Sequence, residues 1–189
     1  MPLVRTKVNP TKINLGCGMN ILKGWVNLDC AALPGVDVVH DLNVVPLPFE
    51  DECADEILCE DVLEHVDYIP LLRDCHRILQ PGGRMRIEVP HFTSSNNYVD
   101  PTHRNMFATK TFNFFCANTF EGKTRSYYFG FKFSKITDKQ ITFYTRKIYV
   151  YNKIAEWLVN RSDAMRLLYE ATGFSRLFPA ENIWVTLIK

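Results

Sequence analysis

Gly16, Cys17 and Gly18 close the apolar run "KINLGC", Asp29 closes "WVNLD", Asp41 stands at the end of "VDVVHDL", Glu60 and Asp61 follow "ADEILC", and His91 closes "RMRIEVPH". Glycines directly after a strand let the backbone approach a ligand closely, and a carboxylate ending the next strand can accept hydrogen bonds from both hydroxyls of a ribose. That pairing asks for a nucleoside. A dinucleotide turn would need a third glycine, a helix starting at once and its acid about 20 residues on. Here Ile21 stands where the third glycine belongs, and Asp29 follows Gly16 by thirteen residues. A nucleoside without phosphates fits better, which disfavours a nucleotide-dependent oxidoreductase or epimerase. A non-catalytic nucleoside-binding module remains the competing reading from outside the enzymes.

Four residues are candidate proton acceptors: His65, His91, Asp100 and His103. His91 ends a strand, where a side chain can face a bound acceptor. Asp100 and His103 are three apart and share a face on a helical turn, so the carboxylate can fix the imidazole tautomer. A helix beginning at Pro101 and capped by Asp100 is expected there; in the plainer alternative Asp100 only caps and His103 only packs. His65, in "DVLEHV", is a weaker candidate for the base and a better one for organising the neighbouring loop. The six cysteines form no C-x-x-C pair, which argues against a zinc site and a disulfide framework. No metal is expected.

These residues need a sheet to hold them. The five apolar runs, bounded by Gly, Pro or Asp, read as strands buried on both faces. Between the last two, "DYIPLLRDCHRILQPGG" repeats apolar residues at helical spacing, with Pro70 in the first turn and Pro81-Gly82-Gly83 as the stop. Strand, helix, strand makes a crossover and therefore a partly parallel sheet. Met19 to Gly24 leaves room for no more than a turn or so of helix. After His91 an aromatic-rich insertion follows, residues 92–135. "SYYFGFKFSKITDKQITFYTRKIYVY" alternates as a hairpin or meander would, a helical segment from Lys153 is renewed at Ser162 and stopped by Gly173, and "ENIWVTLIK" supplies a last strand.

The 189 residues, 47% hydrophobic and 23% charged, suit a single domain spanning 1–189 with a loose tail over 1–11. No apolar run reaches bilayer length and "MPLVRTKVNP" lacks an apolar signal core, so a cytoplasmic protein is expected. The net charge of +1 excludes a dedicated DNA binder and disfavours RNA. It conceals a split: eleven acidic residues and no Lys or Arg from Asp37 to Asp67, eight basic residues against Asp138 alone from Lys123 to Lys153. Such runs are usually solvated faces; the sharper reading gives the basic segment an anionic partner.

Taken in order, "INLGCG", "WVNLD", "VVHDLNVVPLPFEDECADEI", "DVLEHV", "HRILQPGGRMRIEVP" and "DPTHRNMF" resemble the class I methyltransferases of the type 11 family, from Lys12 to about Phe115. The resemblance implies a Rossmann-like α/β fold: a seven-stranded, mostly parallel sheet with helices on both faces, its last strand antiparallel, and an insertion after the fifth strand. It implies S-adenosylmethionine as cofactor. By motif position Leu15, Gly16, Cys17 and Gly18 line its methionine part, Asp29 takes the ribose hydroxyls, Asp41 and Leu42 border the adenine, and Glu60 and Asp61 lie along it. Asn20 replaces the family's third glycine, and Asn14 stands where an acid is often found. With no added recognition domain, the expected acceptor is a small molecule, foremost a hydroxyl of a sugar or glycan. Lys123, Arg125, Lys132 and Lys135 are placed to meet the phosphates of a nucleotide sugar.

Overall fold

A computed structural model describes residues 11–125, 127–146 and 149–189. Apart from Thr11, the tail expected over 1–11 lies outside the described residues. Seven strands form one sheet: β1 (Thr11–Leu15), β2 (Val26–Asp29), β3 (Val38–Val39), β4 (Ala54–Glu60), β5 (Leu79–Pro90), β6 (Lys135–Phe143) and β7 (Ala180–Ile188). Their spatial order is β3-β2-β1-β4-β5-β7-β6. The first five are mutually parallel, and β7 runs antiparallel to both β5 and β6. The mostly parallel sheet and antiparallel last strand are as expected.

β2 and β4 are largely buried on both faces, as expected, whereas β5 alternates: Arg84 and Arg86 are exposed between buried Met85, Ile87 and Val89, so one of its faces is polar. Ile13, Leu15, Leu28, Ile57, Cys59, Met85, Ile87 and Val89 join one core. Helix α1 (Tyr68–Ile78) covers it with Leu71, Leu72, Cys75 and Ile78, each fully buried leucine contributing roughly 1.5–3 kcal/mol. The β3–β4 connection has no helix and is tied to α1 instead. Arg77 pairs with Asp74 at 2.6 Å and Asp51 at 2.7 Å and donates to the Phe49 and Leu47 carbonyls, while Asp74 accepts the Leu47 N–H.

Three expectations change. The segment 36–42 keeps only two residues of strand, Val38–Val39, because Asp41 turns the chain by accepting the Asn43 N–H. No helix begins at Pro101. The short α2 (Asn96–Val99) ends at Asp100, whose carboxylate accepts from the N–H and hydroxyl of Thr102, a local turn that competes with helix continuation. Among its described residues the aromatic segment forms no hairpin of its own: only β6 is a strand there, paired with β7. Phe115, Phe129, Phe131 and Phe133 instead pack on one another and on the core.

Between β5 and β6 lies α3 (Phe120–Thr124), with Thr119 capping it through the Gly122 N–H. Then α4 (Asn152–Val159), α5 (Asp163–Ala171) and α6 (Phe174–Leu177) lead into β7, and Ser162 caps α5 through the Met165 N–H. The renewal of helix at Ser162 and its stop before Gly173 match the sequence reading.

Candidate active site

Parallel pairing brings the carboxyl ends of β1, β2, β4 and β5 to one edge. Leu15 lies opposite Leu28 and Cys59, and Glu60 opposite Glu88. The two glycines after β1 serve different needs. Gly16 has φ of 64°, and a Cβ there would lie 2.3 Å from Val62 Cγ2, so it is required by packing against the turn after β4. Gly18, with φ of 48°, has nothing within 4 Å of its missing Cβ. Its left-handed backbone faces open space, as a ligand cradle requires.

Asp29 joins the two strand ends. Its Oδ2 accepts the Gly18 N–H at 2.8 Å and its Oδ1 the Ala31 N–H at 2.9 Å. Burial works against the charge, but these backbone donors and Cys30 outweigh it and hold the carboxyl below its ordinary value. Each carboxylate oxygen has a second lone-pair direction, so the group is ionised, fixed and still able to accept ribose hydroxyls. The Gly18 cradle and the Asp29 carboxylate therefore fit the nucleoside cofactor.

The loop's shape comes from a buried network. Asn14 donates to the Asn20 carbonyl at 2.8 Å and to Asn27 Oδ1 at 3.2 Å; Asn27 accepts the Leu22 N–H and donates to Asp37. Sequence reading missed Asn27, whose signal was a polar residue inside an apolar run. Asn20, in place of a glycine, donates to Glu60 Oε2 at 3.3 Å and so ties the loop to the end of β4. Leu15 and Leu42 are core side chains, and Cys17 is buried too; these positions offer the cofactor edge backbone more than side chain. Asp41 is exposed.

Beyond β4 and β5 lies a cavity of about 260 Å³ lined by Asp61, Glu64, His65, Pro90, Asn96, Val99, Asp100 and His103. Asp61 has φ of 51°, a conformation that Asp tolerates better than most side chains, and it turns the chain out of β4. The insertion then returns over this turn. The Arg104 and Asn105 N–H groups donate to the Glu64 carbonyl, and Asn105 Nδ2 donates to the Leu63 and Val66 carbonyls, both at 2.8 Å. That clamp sets His103 edge-on to His65, with ring centroids 4.6 Å apart.

His65 Nδ1 meets Thr102 Oγ1 at 2.8 Å, and Thr102 Oγ1 donates to Asp100 Oδ1 at 2.6 Å. Burial, with His103 next in effect, lowers the His65 pKa and keeps the ring neutral at pH 7. Asp100 Oδ2 is 3.9 Å from His103 Nε2. The two residues are thus neighbours, in a turn rather than a helix, without the hydrogen bond that would fix the tautomer. Glu64, which sequence reading did not single out, is fully buried, and burial pushes its pKa up to about 8 against its own backbone N–H, with Asp61, Glu88 and Asp100 adding to the effect.

The fold does not bring His91 to this cavity. The ring is fully buried: Nδ1 accepts the Thr93 N–H at 3.2 Å, which leaves Nε2 to donate to Glu170 Oε1 at 3.1 Å. Glu170 also accepts from the N–H and hydroxyl of Thr109. With both nitrogens engaged inside the protein, His91 joins α5, the insertion and β5 and is not a proton acceptor for a ligand. Nor do Lys123, Arg125, Lys132 and Lys135 line the cavity, whose charged residues are acidic. The phosphate contact expected of them is not made there.

This strand order, with a glycine turn after the first strand and a carboxylate after the second, defines the class I methyltransferase fold. Residues 16–87 match the family described as a methyltransferase domain. A 47-residue segment is 43% identical to an uncharacterised protein of Methanocaldococcus jannaschii, covering 25% of this chain and 21% of that protein. Another of 84 residues is 32% identical to a probable S-adenosylmethionine-dependent methyltransferase of Mycolicibacterium smegmatis, covering 44% of this chain and 32% of that one. The matches thus span less than a third of the length of these curated relatives. Among solved structures, a SAM-dependent methyltransferase from Archaeoglobus fulgidus superposes with a TM-score of 0.61 over 97% of this chain and 87% of its own, at 17% identity. The chain is thus similar to S-adenosylmethionine-dependent methyltransferases, in sequence over residues 16–87 and in fold over nearly all of its length.

Proposed function

We propose that the chain transfers a methyl group to a hydroxyl oxygen of a small, uncharged polar molecule, a sugar or glycan being the class that suits the site. S-adenosylmethionine, when bound, supplies an electrophilic methyl on a sulfonium. The observation that carries the proposal is adjacency: Asn20 of the cofactor loop bonds to Glu60, and the next residue, Asp61, lines the acidic cavity. Gly18 and Asp29 hold the nucleoside, and the cavity holds the acceptor in line with the methyl, the geometry such a displacement needs.

The oxygen lone pair forms the new C–O bond, the C–S bond breaks with its electrons retained by sulfur, and the hydroxyl proton leaves. The His65–His103 pair, with Asp100 behind it, handles that proton. Carboxylates lining the cavity speak against a phosphorylated acceptor. They suit a polyol, whose hydroxyls donate to them.

The test is calorimetric titration with S-adenosylmethionine and S-adenosylhomocysteine, with NAD as control, followed by acceptor screening for S-adenosylhomocysteine release. Saturable binding of the first two, weakened by Asp29→Ala, with turnover on a neutral polyol, is the expected result. Binding of NAD alone, or of nothing, sinks the proposal. Cofactor binding without turnover on any hydroxyl acceptor returns the chain to the non-catalytic reading.

A further inference from the structure

The geometry points to a binding site for one divalent transition-metal cation, formed by Glu64, His65 and His103 at the inner end of the acidic cavity. One ligand atom from each of the three lies within 4.8 Å of the others. An ion bound at about 2.1 Å from each donor holds donors up to roughly 4 Å apart, so a sub-ångström closing of side chains completes the set.

The stronger argument is what is left without a partner. Glu64 is 0% exposed, and apart from its own backbone N–H neither carboxylate oxygen has a hydrogen-bond partner among the described residues; His103 Nδ1 is likewise buried and unpartnered. A buried polar group without a partner costs on the order of 1–3 kcal/mol, more when charged. Here two neighbouring side chains carry that cost while aimed into one cavity. No Lys or Arg lines it to neutralise them.

The surroundings are those of a metal-binding imidazole. Ligating histidines usually engage their other ring nitrogen with a carboxylate or its relay, which fixes the tautomer. His65 Nδ1 is engaged by Thr102 and through it by Asp100, leaving Nε2 to bind the ion. For His103 the arrangement is reversed: Nε2 faces Asp100, and Nδ1 is the unpartnered atom. Asp100 thus orients the His65 ring through Thr102 and lies 3.9 Å from the His103 ring.

Two imidazoles and one carboxylate favour borderline ions such as Zn²⁺, Co²⁺ or Fe²⁺ over Mg²⁺ or Ca²⁺, which prefer all-oxygen sites. Three protein ligands leave at least one position open toward the cavity, the pattern of a catalytic rather than a structural site. The role of that position rests on the methyl-transfer reading. An acceptor hydroxyl bound there loses its proton to solvent at neutral pH more readily, and the two histidines then act on the proton through the ion they hold.

The test needs no activity. The full-length protein, stripped with a chelator, is titrated with Co²⁺ and followed by visible absorption, and with Zn²⁺ and Mg²⁺ by calorimetry. The same samples are titrated with S-adenosylhomocysteine. One equivalent of Co²⁺ should bind with absorption bands of a four- or five-coordinate site, Zn²⁺ should bind tighter than Mg²⁺, and Glu64→Gln and His103→Ala should each weaken binding at least tenfold. His40→Gln, outside the cavity, should not. Absence of saturable Co²⁺ and Zn²⁺ binding by the wild-type protein overturns the site even if either substitution fails to fold. So does binding that folded Glu64→Gln and His103→Ala proteins leave unchanged. Failure to bind S-adenosylhomocysteine, with Co²⁺ binding intact, would count against the methyl-transfer reading alone.

Discussion

The Gly18 amide donates to Asp29 Oδ2 at 2.8 Å, so the residue that opens the cofactor turn and the residue that would hold the ribose are fastened to each other. Asp29→Asn keeps the side-chain shape but removes the charge and turns a potential acceptor into a donor. Charge-assisted hydrogen bonds are worth about 1.5–3 kcal/mol, so S-adenosylhomocysteine affinity should fall roughly 10- to 100-fold by calorimetry. An unchanged affinity would remove Asp29 from the cofactor site.

Gly16→Ala and Gly18→Ala should separate packing from ligand approach. Both place a side chain at positive φ, which costs on the order of 1 kcal/mol. Only Gly16→Ala also drives a methyl into Val62. Denaturant unfolding should show Gly16→Ala as the more destabilised, with Val62→Ala relieving part of the loss in the double mutant. Gly18→Ala should instead lose cofactor affinity while costing only that backbone term of about 1 kcal/mol.

His91→Ala should be a stability mutant. Removing the ring leaves Glu170 without one of its donors, and losing a hydrogen bond to a charged group costs about 1.5–3 kcal/mol. Burial opposes the Glu170 charge, but His91 and Thr109 outweigh it and lower its pKa. A lowered carboxyl pKa gives stability that is present above the unfolded value of 4.5 and lost as pH falls through the folded one. Glu170→Gln should therefore flatten the acid limb of the wild-type stability curve below about pH 4.5. An acid limb equally steep in both proteins would exclude this contribution.

Glu88 works in the opposite sense. Burial raises its pKa to about 7, with Asp61 and Glu60 adding to the effect against the Asn182 hydrogen bond. A raised carboxyl pKa means the folded state holds the proton longer, so stability falls as pH rises from 4.5 to about 7. Because the group is half-buried and partly screened, Glu88→Gln should gain no more than about 1 kcal/mol at pH 8 and nothing at pH 4. Thermal unfolding at both values decides it.

The strands that hold the site were legible because each is a short run rich in apolar residues, β5 alternating with exposed Arg84 and Arg86, and the chain turns at Gly16, Asp29 and Asp61 where those runs stop. The side of the sheet each terminal residue faces was not legible. His91 ends its strand as expected, but the pleat turns the ring into the interior toward Glu170. Glu64 was illegible for another reason. In "DVLEHV" it reads as a surface acid, and it is buried only because residues 103–105 return over it from forty positions away. The aromatic segment misled by alternation: period two is also what a loop shows when every second ring drops into a core.

The clamp made by Asn105 separates two kinds of constraint on the chain. Because one amide grips the Leu63 and Val66 carbonyls, the distance between His65 and His103 is set locally, at the crossing point, and not by the contour of the loop over 92–102. The stretch between Phe92 and Asp100 can then change length while the crossing and the Asp100–Thr102 turn beside it are kept. A family built on this plan can diversify the rim that selects the acceptor without re-evolving the reactive floor beneath it.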